Sequence, residues 1–139
     1  MRLPKLLPFI AALALIASRP GFLAAASASA EVDHELLRQS LADKPGTDVV
    51  IVTAEYPPGA GTPLHEHPGH TYAYVLEGAV ASQLEGQPLR TYTVGQMWSE
   101  EPHQHHIVCK NASSTAHAKL LVVFVIPHGE TLETYLPAK

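Results

Sequence analysis

The sequence predicts a single all-β domain, a sandwich or barrel, and three observations predict it. Short β-branched and apolar runs alternate with Gly, Pro and Asn turns from about Asp48 onward. Helical spacing of apolar residues disappears beyond Gly46. Finally, once an N-terminal leader is set aside, 109 of the 139 residues remain. That is enough for one compact domain and too few for two.

The leader is Met1 to Ala30. It carries Arg2, Lys5 and Arg19, no acidic residue, and an apolar run from Leu6 to Ala17. Ala28-Ser29-Ala30 before Glu31 reads as a small-residue cleavage site, so residues 1–30 are expected to be a cleaved secretory signal peptide. A retained membrane anchor needs about 20 apolar residues in a row, and Arg19-Pro20-Gly21 interrupts the run. The expected location is periplasmic or secreted, with no stable membrane anchor. Cys109 is the only cysteine and is expected to be a core thiol, since no intrachain disulfide is available to it. The full chain has 9 basic and 13 acidic residues, net −4. Without Arg2, Lys5 and Arg19 the basic count falls to six and the net charge to −7. So acidic a domain argues against a nucleic-acid partner.

Residues 31–47 are expected to form a short N-terminal helix or arm. Val32, Leu36, Leu37 and Leu41 have partial helical spacing, and Lys44-Pro45-Gly46 closes the segment. The barrel proper is expected over 48–127. Val49–Thr53 is a β-branched strand that ends at Tyr56-Pro57-Pro58-Gly59, and Tyr72–Leu76 is another, stopped by Glu77-Gly78. Ala79–Leu84 and Leu89–Val94 flank the Glu85-Gly86-Gln87-Pro88 turn. Met97-Trp98 follows Gly95, and Ile107–Cys109 precedes the Asn111–Ser114 turn. The last long strand, Ala118–Ile126, is almost wholly apolar. Residues 128–139 are expected to be a C-terminal cap or tail.

Six of the nine histidines fall in two groups: His65, His67 and His70, then His103, His105 and His106. Residues two apart in a strand share a face, so His65 and His67 can aim inward together while Glu66 points away. Two parallel imidazoles make a bidentate fragment for a divalent transition metal. A third ligand must come from another strand. Only one of the adjacent pair His105 and His106 can share the interior. His34, His117 and His128 lie outside both groups and read as ordinary surface or strand histidines.

With these residues in place, the chain resembles the cupin family, specifically its small single-domain members. The first cupin motif, G-x5-H-x-H-x3,4-E-x6-G, is met by Gly59, His65, His67 and Gly78. The second, G-x5-P-x-G-x2-H-x3-N, is met more loosely by Gly95, His106 and Asn111, with one extra residue between the last two. The resemblance covers about Asp48 to Pro127 and implies a jelly-roll β-barrel. The first motif's glutamate, a metal ligand in many cupins, falls at Thr71; the second motif's proline and glycine fall at Glu101 and His103.

The resemblance implies a metal site made by His65, His67 and His106, with His70 and His103 as additional candidates. His103 is expected at the site mouth and His105 outside. The ion would be Fe, Mn, Ni, Cu or Zn. Three neutral imidazoles leave such an ion its full charge and open positions, suited to Lewis-acid chemistry on a small molecule. An all-histidine set resembles cupin dioxygenases that lack the glutamate. The alternative is a non-catalytic cupin that binds a metal or small ligand for storage or sensing. Tyr72, Tyr74, Tyr92, Met97 and Trp98 are candidates for an apolar wall, although at strand spacing such residues more often belong to a core. A homodimer is the expected assembly.

Overall fold

The computed structural model describes residues 31–137, all strand, turn or loop. The expected leader, Met1–Ala30, lies outside the described residues. Eleven strands follow in chain order: β1 (Val32–Ser40), β2 (Thr47–Tyr56), β3 (Gly61–Thr62), β4 (His65–Glu66), β5 (His70–Glu77), β6 (Ala79–Leu84), β7 (Arg90–Thr93), β8 (Met97–Glu100), β9 (His106–Asn111), β10 (Ala118–Pro127) and β11 (Thr134–Tyr135). They form two antiparallel sheets, one ordered β1-β2-β10-β5-β8, the other β11-β4-β9-β6-β7 with β3 also on β9.

Period-two patterning makes the core. Along β2, Val50, Val52, Ala54 and Tyr56 are buried while the residues between them are half-buried. β10 does the same with Ala118, Leu120, Val122, Phe124 and Ile126. The two strands pair over their whole length, Ala118 opposite Tyr56 and Pro127 opposite Thr47. Val75, Val80, Leu84 and Trp98 complete the apolar interior. Burying each large side chain is worth about 1.5–3 kcal/mol, so this ladder anchors the sandwich. Cys109 lies in that core, and burial pushes its thiol well above the ordinary range.

The N-terminal segment is an arm, not a helix. β1 pairs antiparallel with β2 from Val32 opposite Glu55 to Ser40 opposite Asp48, with a register shift between Glu35 and Leu37. All nine of its residues are exposed. A helix here would have no face to bury, and helices this short are marginal without packing, whereas the free edge of β2 supplies ladder hydrogen bonds. The barrel is accordingly wider than the 48–127 span expected from pattern, since β1 and β11 add strands at its ends. Among the described glycines Gly69 permits the closest approach: a Cβ there would lie 2.1 Å from the Val125 carbonyl oxygen.

Candidate metal centre

β4 and β9 bring the histidines together. His65 and His106 are register partners across these strands, and His67 follows two residues after His65, on the same inward face. All three are buried, whereas Glu66 between them is half-buried. The His65 ring centroid lies 4.9 Å from that of His67 and 4.9 Å from that of His106. One ligand atom from each falls within 4.8 Å of the others, the spacing of donors around a single ion.

Outer hydrogen bonds orient each ring. His65 Nδ1 lies 2.7 Å from the Pro63 carbonyl and His67 Nδ1 2.7 Å from the Leu132 carbonyl. A carbonyl only accepts, so Nδ1 carries the proton in both rings and Nε2 keeps the lone pair a metal needs. His106 is turned the other way. Its Nε2 is 2.8 Å from Ser82 Oγ, which leaves Nδ1 facing the cavity. Burial, with His106 and His67 nearby, pushes His65 down to about 4 against the pull of the Pro63 carbonyl. It is therefore neutral at neutral pH, as ligation requires.

A carboxylate stands beside the three rings. Glu100, at the end of β8, is buried and accepts a 2.9 Å hydrogen bond from Trp98 Nε1 at its Oε1. Its Oε1 is 3.2 Å from His106 Nδ1 and its Oε2 3.6 Å from His67 Nε2. Neither approach is aligned as a hydrogen bond, and Glu100 Oε2, His106 Nδ1 and Thr71 Oγ1 are all buried without a partner. Burial pushes the Glu100 carboxyl up, but His106, His67 and the Trp98 N–H outweigh it and hold the group below its ordinary value. Buried polar atoms are nearly always paired. Three orphans on one cavity fit a site built to hold a bound ion.

The cavity is small. It leaves about 30 Å³ for the centres of water-sized molecules, room for roughly two waters. The three histidines, Thr71, Trp98, Glu100, Phe124 and Leu132 line it, and Glu31, Asp33 and Glu133 line both it and an adjoining surface pocket. Glu31 accepts a 2.6 Å hydrogen bond from the Tyr56 hydroxyl and another from Thr62.

With two sheets enclosing a histidine-lined cavity, the family is decided by its profile: the cupin domain matches residues 52–124, more than half of the chain. The chain is a cupin. Solved structures with the same double-stranded architecture agree. An uncharacterized conserved protein with a double-stranded β-helix domain from Klebsiella pneumoniae superposes with a TM-score of 0.61 at 18% identity, over 81% of this chain and 90% of that one. Oxalate oxidase bound to the substrate analogue glycolate gives 0.59 at 19% identity, over 77% and 55%. The DMSP lyase DddQ of Ruegeria pomeroyi gives 0.55 at 21% identity, over 63% and 42%. This cupin thus spans about half the length of those two enzymes, and identities this low show the fold alone. Curated protein sequences contain no match to it.

The cupin's departures from the family motifs now have structural meaning. His103, at the glycine position of the second motif, adopts φ 59°, the left-handed conformation a glycine would supply. The turn is therefore kept and His106 stays in register. Thr71, at the glutamate position, is buried and lines the cavity.

The two additional candidates lie outside the cavity. His70 is exposed, with Nδ1 3.4 Å from Glu101 Oε2. His103 points outward to Glu66 at 3.0 Å rather than lining the mouth; only its backbone reaches the centre, donating to the His67 carbonyl at 2.8 Å. His105 faces outward between Glu66 and Glu85. Of the aromatic and Met candidates only Trp98 lines the cavity; Tyr92 packs on it at 4.9 Å, and Tyr72, Tyr74 and Met97 are exposed.

Sequence reasoning missed Glu100, Ser82 and the C-terminal contribution. Alternation within Met97-Trp98-Ser99-Glu100 was the available signal for Glu100, since it places that side chain on the face of the buried Trp98. Leu132 and Glu133 come from what reads as a tail, drawn in because Thr134 and Tyr135 pair with Glu66 and His65.

Proposed function

We propose that this cupin is an exported protein that holds one divalent transition metal ion on His65, His67 and His106 and acts on a small molecule, with dioxygenase-like chemistry favoured. The observation that carries the reading is the set of three buried, oriented imidazoles with ligand atoms within 4.8 Å. An ion held there supplies Lewis acidity and open positions for a substrate oxygen. The chain's own residues set what can enter. The cavity limits a ligand to a few heavy atoms unless the mouth widens. None of the lining residues is Lys or Arg, while Glu31, Asp33 and Glu133 contribute carboxyl groups. Such a mouth suits a neutral or cationic molecule better than an anion such as glycolate.

The second reading is a non-catalytic metal or small-ligand binding module, favoured by how little room the cavity offers. Oxygen uptake by the iron-loaded protein separates the two, measured against a panel of small neutral and cationic enols and phenols. Uptake matched by product supports the enzyme. Saturable binding without turnover assigns the binding module. Export is tested on its own: the periplasmic protein should begin at Glu31, and a chain retained in the cytoplasm with Met1 intact contradicts it.

A further inference from the structure

We propose that Glu100 is a fourth ligand of the metal centre, a carboxylate delivered from β8 in place of the one the first cupin motif would deliver from β5. The inference rests on the three-histidine reading and goes beyond it. The motif position on β5 is Thr71, whose hydroxyl is neutral and has no partner. Thr71 and Glu100 are register partners across β5 and β8, and directly opposed side chains in an antiparallel pair have Cβ atoms about 4.5–5.5 Å apart. A carboxylate on β8 can therefore reach the space that a carboxylate on β5 would fill.

Toward two of the three rings the distances are those of ligands around one ion, while only the three histidines place one ligand atom each within 4.8 Å of all the others. Metal–ligand bonds of about 2.0–2.2 Å place adjacent donors roughly 3.0–3.5 Å apart. Glu100 approaches His106 Nδ1 at 3.2 Å and His67 Nε2 at 3.6 Å, and these are the two nitrogens their outer hydrogen bonds leave unoccupied. The carboxylate is also held for the task. Trp98 Nε1–H fixes Oε1 at 2.9 Å, while Oε2 has no hydrogen-bond partner and is fully covered.

Charge makes the same point. A buried carboxylate is costly unless a cation compensates it. No Lys or Arg lines the cavity, so the compensating charge is either a proton on His67 or His106, which both face Glu100, or, when these rings are neutral ligands, a bound ion. A divalent ion supplies the missing charge and a partner for both Glu100 Oε2 and His106 Nδ1. The carboxylate also broadens the donor set toward manganese and iron, which oxygen ligands serve better than imidazoles alone do.

Manganese binding to the full chain tests the assignment by calorimetry and by the EPR spectrum of bound Mn(II). Glu100→Gln keeps size and shape but removes the charge. It should weaken Mn(II) at least about tenfold, the loss that even an outer partner of a ligand produces, and should change the EPR zero-field splitting. Adding Thr71→Glu to that variant should recover most of the affinity. If Glu100→Gln fails to fold, Glu100→Asp provides the reading: affinity between wild type and zero supports the assignment, wild-type affinity overturns it. Unchanged affinity in Glu100→Gln overturns it, and so does weakened affinity with an unchanged spectrum, because the group then acts from outside the coordination sphere. Wild-type protein that binds no metal instead defeats the three-histidine reading on which the inference rests.

Discussion

Thr71 and Glu100 face each other across β5 and β8, both buried and both on the wall of the histidine cavity. The residue at the family's carboxylate position and the residue that carries a carboxylate are thus neighbours in the ladder. The Thr71 hydroxyl has no hydrogen-bond partner, and an unsatisfied buried hydroxyl costs about 1–3 kcal/mol. Thr71→Val replaces it with a methyl group of similar size. Metal-free protein carrying this change should gain roughly 1 kcal/mol, raising the midpoint of a thermal melt by about 4–8 °C. A lowered midpoint would show that the hydroxyl has a partner in solution.

Ser82 holds the ring of His106 from outside the cavity, with Oγ 2.8 Å from Nε2. Ser82→Ala removes that contact without touching a ligand atom. Metal affinity should fall about 10–100-fold, read by equilibrium dialysis, while the circular dichroism of the β fold is unchanged. Wild-type affinity would mean that His106 is held by packing alone.

His103 occupies a glycine's conformation with a side chain attached, at φ 59°. Its imidazole contact with Glu66 is exposed and, as a surface pair, worth little. His103→Gly should therefore be neutral or stabilising by about 0.5–1 kcal/mol, measured from the urea midpoint. A larger loss would show that the loop before β9 depends on the Glu66 contact.

Glu31 gives the mouth a pH dependence. Burial raises its carboxyl to about 7, with Asp33 and Glu133 adding to the shift and the hydrogen bonds from Thr62 and Tyr56 opposing it. A carboxyl raised in the folded state binds its proton more tightly there than when unfolded. Its contribution to stability is full below about 4.5, is lost as pH rises through about 7, and amounts to at most about 3 kcal/mol. Denaturant midpoints taken from pH 4.5 to 8 should decline across that window, and Glu31→Gln should flatten this part of the decline. An identical profile in the variant would assign the dependence elsewhere.

The parts of this cupin that were legible in the sequence are those set by local period. Alternation in Val49–Tyr56 and Ala118–Ile126 announces strands with one buried face, and the His65-Glu66-His67 spacing announces two inward imidazoles. His106 was legible through its motif, because His103 preserves the turn that sets its register. β1 was ambiguous. Its apolar residues fit a weak helical stripe, and only the free edge of β2, a tertiary feature, selects the extended form. Glu100 was hidden for a related reason: β8 is four residues long, Glu101 follows directly, and register with β5 decides which carboxylate turns inward. Leu132 and Glu133 reach the centre through the pairing of β11 with β4, a contact nearly 70 positions apart in the chain, and nothing local signals it.

The central claim is that His65, His67 and His106 hold a metal ion. Elemental analysis of tag-free protein, after exposure to iron, manganese, nickel, copper and zinc and removal of unbound ions, tests it most directly. Wild-type protein should retain about one transition-metal ion per chain through this three-ligand set, and a variant carrying both His65→Ala and His67→Ala should retain none while keeping its β-sheet spectrum. Wild-type protein without stoichiometric metal, or a double variant that still holds it, would contradict the account.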